Sequence, residues 1–220
     1  MLNTVLAILA ATALFLVGIT LFQDRLLYFP APASLDSYAG AGFTAWPDRE
    51  SIRGLVIEPA PGTPIRGTAI IFHGNAGHAG HRRFYGAPLI AEGLRVILAE
   101  YPGYGPRSGK PGEQALTDDA VQTVELAHGQ YGAPLILIGE SLGAAVAAAA
   151  SARTRDTIAG VLLITPWRQL GELASHHYPW LPVRAMLRDQ WDSEANLHAL
   201  GRPIVVAVAA RDTIVPARFG

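Results

Sequence analysis

The hydrophobic positions of this chain fall into three regimes. The first is an unbroken apolar run: from Thr4 to Phe22 no residue is charged, and Leu, Ile, Val, Ala and Phe dominate. Nineteen helical residues at about 1.5 Å each span roughly 28 Å, close to the hydrocarbon thickness of a bilayer. The second regime, from Ser51 onward, is rhythmic. Short β-branched runs at Ile52–Ile57, Gly67–Phe72, Leu94–Ala99, Pro134–Ile138, Gly160–Ile164 and Pro203–Ala209 predict strands. Between them, His81–Glu92, Glu113–Tyr131 and an alanine-rich run to Ala150 predict helices. Strands alternating with helices at this spacing imply a mostly parallel sheet with helices on both faces, an α/β fold. The third regime interrupts the rhythm: Thr165 to Leu200 carries Trp167, Trp180 and Trp191, the pair His176-His177 and the run Tyr178-Pro179-Trp180-Leu181-Pro182. It predicts a small helical cap over the sheet edge, of the kind that shapes a pocket and excludes water.

This pattern divides the chain into an N-terminal transmembrane anchor (1–23), a membrane-proximal connector (24–50) and an α/β domain (51–220) with its cap at about 165–200. A cleavable signal peptide competes with the anchor. It would want a basic n-region, a shorter apolar core and a small-x-small site close behind. No Lys or Arg precedes the run, and the nearest such tripeptide, Ala31-Pro32-Ala33, lies far downstream and contains proline. A retained single-pass anchor is therefore expected, with its orientation left open because Arg25 is the only nearby basic residue. Within the connector, Leu26-Leu27-Tyr28-Phe29-Pro30 suits either the bilayer interface or packing on the domain.

Composition narrows the chemistry. The 220 residues suffice for one domain with a sizeable core, and a net charge of −1 gives no electrostatic case for nucleic acid. The absence of cysteine excludes disulfides, thiolate metal sites and a cysteine nucleophile.

The chemistry concentrates at the carboxyl ends of the predicted strands, where parallel α/β sheets place their ligands. Gly139-Glu140-Ser141-Leu142-Gly143 fits G-x-S-x-G, a sharp strand-to-helix turn that lifts one serine hydroxyl above the sheet. A side chain at Gly139 or Gly143 would collide as the helix doubles back, and Ala144, Ala145 and Ala147 through Ala150 let that helix lie close. A serine nucleophile also needs oxyanion donors, a base and an acid that orients the base. Leu142, the residue after the serine, offers one backbone N–H. The loop Phe72-His73-Gly74-Asn75-Ala76-Gly77 offers the other through the main chain of Asn75. Asp212, in Arg211-Asp212-Thr213-Ile214-Val215-Pro216 just past the last predicted strand, is the candidate acid. Asp118 and Asp119 lie on a predicted helix and suit a solvated face.

The base is the difficulty. Triads on such sheets run Ser, Asp or Glu, then His, yet no histidine follows Asp212. His73 suits bracing its loop, His78 and His81 suit solvent, and His128 and His198 lie on a helix surface and ahead of the final strand. His176 or His177 in the cap would have to swing over Ser141. No carboxylate converges on His73, His78 and His81, so neither a metal nor a cofactor is expected. The simplest expectation is a chain that stops before its base, with the last strand and helix missing.

Taken together, Leu27-Tyr28-Phe29-Pro30 after an anchor, the His73 to Gly77 loop, Tyr101-Pro102-Gly103-Tyr104-Gly105 with Gly109-Lys110-Pro111, the serine elbow and the Asp212 segment resemble the α/β-hydrolase superfamily. The likeness is to its membrane-anchored, abhydrolase-type serine hydrolases, akin to serine aminopeptidase and prolyl-oligopeptidase domains. The resemblance implies Ser141 as nucleophile, Asp212 as acid, Asn75 and Leu142 as oxyanion donors, and a small-molecule, acyl or peptidyl substrate. The expected activity is cleavage of an ester, thioester or amide through an acyl-serine intermediate. The missing histidine favours a rival, a hydrolase-like binding or scaffold protein. A nucleotide-binding reading of Gly103 to Gly112 fails, because Gly109-Lys110-Pro111 lacks the Ser/Thr of a P-loop.

Overall fold

The computed structural model describes residues 1–38 and 40–220. Helix α1 (Leu2–Leu27) is a single apolar rod, exposed along most of its length, and it is the candidate membrane span. It continues four residues past the boundary expected at 23. No proline interrupts it before Pro30, and its last turns find partners on the domain. The Gln23 amide donates to the Met186 carbonyl and its oxygen accepts from the Arg188 N–H, while Arg188 also pairs with Asp24 at 2.7 Å.

The connector, expected to be irregular, instead carries β1 (Phe29–Pro30), the single turn α2 (Leu35–Tyr38) and β2 (Thr44–Trp46). Its aromatics are what order it. Tyr28, Tyr38, Phe43 and Trp46 are buried against the domain, whereas Leu26 and Phe29 remain exposed.

A seven-stranded sheet forms the core. Its strands are β2, β3 (Gly54–Ile57), β4 (Gly67–Phe72), β6 (Leu94–Ala99), β7 (Leu135–Glu140), β8 (Ile158–Ile164) and β9 (Ile204–Ala207), in the order β2-β3-β6-β4-β7-β8-β9. The β2–β3 and β3–β6 pairs are antiparallel; the rest are parallel. The remaining strand, β5 (Ala76–Gly77), pairs in parallel with β1 outside the main sheet.

Because side chains alternate along a strand, β4 sends Ile70 and Phe72 to one face and Ala69 and Ile71 to the other. The first face is covered by α4 (Glu113–Tyr131) and α5 (Leu142–Thr154), the second by α3 (Gly86–Ala91), and the connector contributes Tyr28 and Trp46 to the first and Tyr38 and Phe43 to the second. The stretch expected as one helix from His81 to Glu92 divides. Ala79–Tyr85 is a tight 3-10 segment, and α3 begins at Gly86 with Pro88 in its first turn, where no N–H is needed. The cap consists of α6 (Leu170–His177), α7 (Val183–Met186) and α8 (Ser193–Leu197). Strand β9 is the far edge of the sheet, and all four of its residues are exposed.

Candidate active site

Ser141 leaves β7 with φ +55° and ψ −115°, a conformation that L-residues hold only when their surroundings impose it. The imposition is visible on both sides. The Ser141 N–H donates to the Ile164 carbonyl of β8 at 2.9 Å, and its own carbonyl accepts from Ala144 at 2.9 Å, starting α5. A Cβ at Gly143 would overlap the Phe72 carbonyl of β4, and one at Gly139 would overlap the Gly143 carbonyl. These neighbours are backbone and cannot yield. Behind the turn, Ala144 to Ala150 are all buried, so α5 rests on the sheet with only methyl groups and Val146 between. Leu142 is the first residue of α5, so its N–H precedes the helical ladder and is free for another acceptor.

A cavity of about 240 Å³ opens beside Ser141. Its walls include Asn75 and Leu142 from the turns, Trp167 and Trp191 from the cap, and Leu26 and Leu27 from the end of α1. Three of the four expected site residues therefore share one space. The backbone N–H of Asn75 makes no hydrogen bond among the described residues. Its side chain is engaged at both ends: Oδ1 accepts from the Phe29 N–H at 3.1 Å and the Tyr104 hydroxyl at 3.0 Å, and Nδ2 donates to the Leu27 carbonyl at 2.5 Å. Sequence reasoning assigns Asn75 only a main-chain role and misses this clamp.

It also misses what lies beneath the loop. Glu100 is completely buried at the end of β6, and its carboxylate accepts from the Ala79 and Tyr101 N–H groups and meets His73 Nε2 at 2.8 Å. The other ring nitrogen of His73 meets the Gly74 carbonyl at 2.7 Å, so this histidine braces its loop as expected. Tyr101 donates to the His73 carbonyl at 2.7 Å. Burial pushes the Tyr101 phenol well above its usual range and raises Tyr104 too, so both remain donors. A charged residue ending an apolar strand, followed by Tyr-Pro-Gly-Tyr-Gly, is the available signal.

The elbow is fixed from the side by Arg82, which grips Glu140 through two bonds of 2.8 and 2.7 Å; Tyr85 adds a third at 3.3 Å. Asp212 caps its own turn: one carboxylate oxygen accepts from the N–H groups of Ile214 and Val215, both at 2.8 Å. Ile214 and Val215 line the cavity, which brings the Asp212 turn to its rim. Among the described residues no histidine hydrogen-bonds to Ser141 or Asp212. His177 shares the cavity wall, but its Nε2 meets the Ile214 carbonyl at 2.8 Å, and His176 is held by Arg218.

Two expectations change. His78 does not face solvent freely: it is half-buried, stacks on His81 at 3.8 Å, and burial lowers its pKa. Asp119 does not belong to a solvated face either. It is buried between Arg53 and Arg107, with bonds of 2.7–2.8 Å, because the helical period turns position 119 toward β3 and the Tyr104–Arg107 loop. Its neighbour Asp118 is paired with Arg153 at the surface.

Known proteins resemble this chain in sequence and fold. The family described as serine aminopeptidase, S33, matches residues 63–190. An uncharacterized protein of Mycobacterium tuberculosis is 33% identical over 96% of this chain and 79% of its own length. A zebrafish lysophosphatidylserine lipase is 28% identical, over 69% of this chain and 44% of its own. Among solved structures, a Butyrivibrio proteoclasticus esterase with bound ferulic acid superposes with a TM-score of 0.62, at 19% identity and covering 74% and 76% of the two chains. That likeness shows the fold.

Proposed function

The chain belongs to the serine aminopeptidase (S33) family of α/β hydrolases, and from that premise we propose a membrane-tethered serine hydrolase of carboxylic esters, with thioesters and amides as chemical relatives. The observation that carries the reading is Ser141 itself: a strained serine between two glycines that admit no side chain, opening into an apolar cavity. A lipase and an esterase among the similar proteins support ester chemistry.

In this reading a base removes the Ser141 proton as Oγ attacks the substrate carbonyl. The carbonyl oxygen becomes an oxyanion facing the free N–H groups of Leu142 and Asn75, each such donor lowering the barrier by about 3 kcal/mol. The positive end of α5 points the same way. Collapse breaks the bond to the leaving group, which takes up the proton, and leaves an acyl-serine. Water then adds to the acyl carbon, and the second collapse releases the acid and frees Ser141. Asp212 orients the base in this scheme. Helix α1 holds the domain to a bilayer.

A second reading is a hydrolase-like binding protein without turnover, favoured by the lack of any histidine bonded to Ser141 among the described residues. A fluorophosphonate probe decides between them. Covalent labelling of the full chain, lost in Ser141→Ala, is the expected result. An unlabelled but folded chain, under conditions that label a control hydrolase, overturns the catalytic reading.

A further inference from the structure

The end of the apolar helix is part of the cavity wall. Leu26 and Leu27, from the last turn of α1, and Tyr28 and Phe29 just after it face the same space as Ser141. The lining continues onto the cap and the Asp212 turn: Tyr178 and Ile214 line the cavity and are 53% and 72% exposed, and Trp180, two residues beyond Tyr178, is 67% exposed. The other three tryptophans are buried. Exposed apolar and aromatic side chains, Leu26, Phe29, Tyr178 and Ile214, thus line the cavity, with the exposed Trp180 close by in the chain, and the exposed Leu21 and Phe22 of α1 precede Leu26. Tyrosine and tryptophan at such a border are the residues that settle at the headgroup level of a bilayer.

The placement is also rigid. Tyr28 is buried, its hydroxyl donating to Asp189 at 2.5 Å and accepting from Trp191 Nε1 at 3.0 Å. Gln23 and Asp24 are tied to Met186 and Arg188 at the end of α7 and beyond it, and Asn75 ties the opposite wall to Leu27 and Phe29. The helix therefore cannot lie in a membrane without carrying the mouth of the cavity to the membrane surface.

We propose that the rim formed by Leu26, Phe29, Tyr178, Trp180 and Ile214 rests on the bilayer surface, and that the Ser141 cavity receives a long-chain acyl ester directly from the leaflet. The chain would slide in past the last turn of α1 with its ester at Ser141, without crossing bulk water. This rests on the proposed membrane tether and serine chemistry, and two measurements separate them.

The first concerns the rim. The full chain is reconstituted in phosphatidylcholine vesicles containing 5-doxyl-phosphatidylcholine, and tryptophan fluorescence is recorded. Strong quenching that disappears in Trp180→Phe is expected. Adding Phe22→Trp to that variant should restore quenching, as proof of insertion. If this double variant is quenched but the unaltered chain is not, α1 is inserted while the rim stands clear of lipid, and the proposal is overturned. Quenching of Trp180 only by aqueous iodide also overturns it, and would mark a face free for a soluble partner. The second measurement compares labelling of Ser141 by a hexadecyl fluorophosphonate dissolved in the vesicles and by an ethyl fluorophosphonate added from water. At least a tenfold preference for the hexadecyl probe is expected. Equal rates overturn leaflet delivery while leaving the serine reading intact. If neither probe labels, the serine reading falls and the quenching result alone decides whether the rim meets lipid.

Discussion

The side-chain amide of Asn75 donates to the carbonyl oxygen of Leu27, the last residue of the apolar helix, across 2.5 Å. One asparagine thereby joins the loop that faces the candidate nucleophile to the segment that leaves the candidate membrane span. Two further bonds, to the Phe29 N–H and the Tyr104 hydroxyl, complete the clamp. Asn75→Ala keeps the backbone N–H that would face the oxyanion but removes its restraint. A fall in kcat of about 10–100-fold on a short soluble ester, with KM nearly unchanged, is expected from a partial loss of one donor's roughly 3 kcal/mol. Tyr104→Phe, which removes one bond, falls less. Steady-state kinetics decide it, and an unaltered kcat in Asn75→Ala would remove the clamp from the mechanism.

The elbow glycines differ sharply from glycines elsewhere. Gly143→Ala drives a methyl group into the Phe72 and His73 carbonyls, so a loss of at least about 3 kcal/mol is expected, with poor recovery of folded protein. Gly129, inside α4, has open space where its Cβ would be, and Gly129→Ala should add about 0.5–1 kcal/mol through helix propensity alone. Thermal melts of the two variants in detergent provide the comparison.

Asp119 neutralises Arg53 and Arg107 in a nearly dry site, with its side chain 11% exposed. Asp119→Ala leaves two guanidinium groups facing one another without a carboxylate, Arg53 keeping the Gln122 side chain and Arg107 the Glu100 carbonyl as acceptors. It should cost about 3–5 kcal/mol, the usual penalty for breaking a buried pair from one side. Urea titration measures this; a loss under about 1 kcal/mol would mean that water replaces the carboxylate.

Burial holds the phenols of Tyr38 and Tyr101 well above their usual range, and burial followed by the nearby Glu140 pushes Tyr85 up to about 12. The unfolded chain would release these protons near pH 10, so above that pH it binds fewer protons than the folded chain. The associated stability is fully present below about pH 10 and drains away as pH rises further. Urea midpoints at about pH 8.5 and about pH 11, with absorbance near 295 nm reporting phenolate, should show a lower midpoint at the higher pH. A constant midpoint contradicts the assignment.

Legibility in the sequence tracks how far each element's pattern is its own. Strands β4 and β6 and helix α4 appear at the residues read from sequence, because short apolar runs holding β-branched residues, and a long helical stretch, need no help from elsewhere. The elbow is legible for a different reason: few residue types fit a turn that tight. What escapes depends on partners far along the chain. The two-residue pair β1–β5 has no periodicity to detect, and the 3-10 segment Ala79–Tyr85 is shaped by packing around Tyr38 rather than by apolar spacing. Asp119 reads as a surface charge until Arg53 and Arg107 are brought to it. Asn75 is found through its loop, but its side chain answers to Leu27, Phe29 and Tyr104, whose proximity no local motif announces.

The bond between Tyr28 and Trp191 spans 163 residues, and that between Gln23 and Arg188 spans 165. Translation at about 5–20 residues per second puts roughly 8–30 s between the emergence of the two ends. Throughout that interval the Gln23 side-chain oxygen and the Tyr28 phenol just after the helix wait for the partners they have in the folded domain, while the sheet that will receive them is still being made. The domain must therefore close back onto a segment that has been waiting since the start of synthesis. The cap is the last part able to do so, which makes its docking on α1 a late event in the life of each molecule.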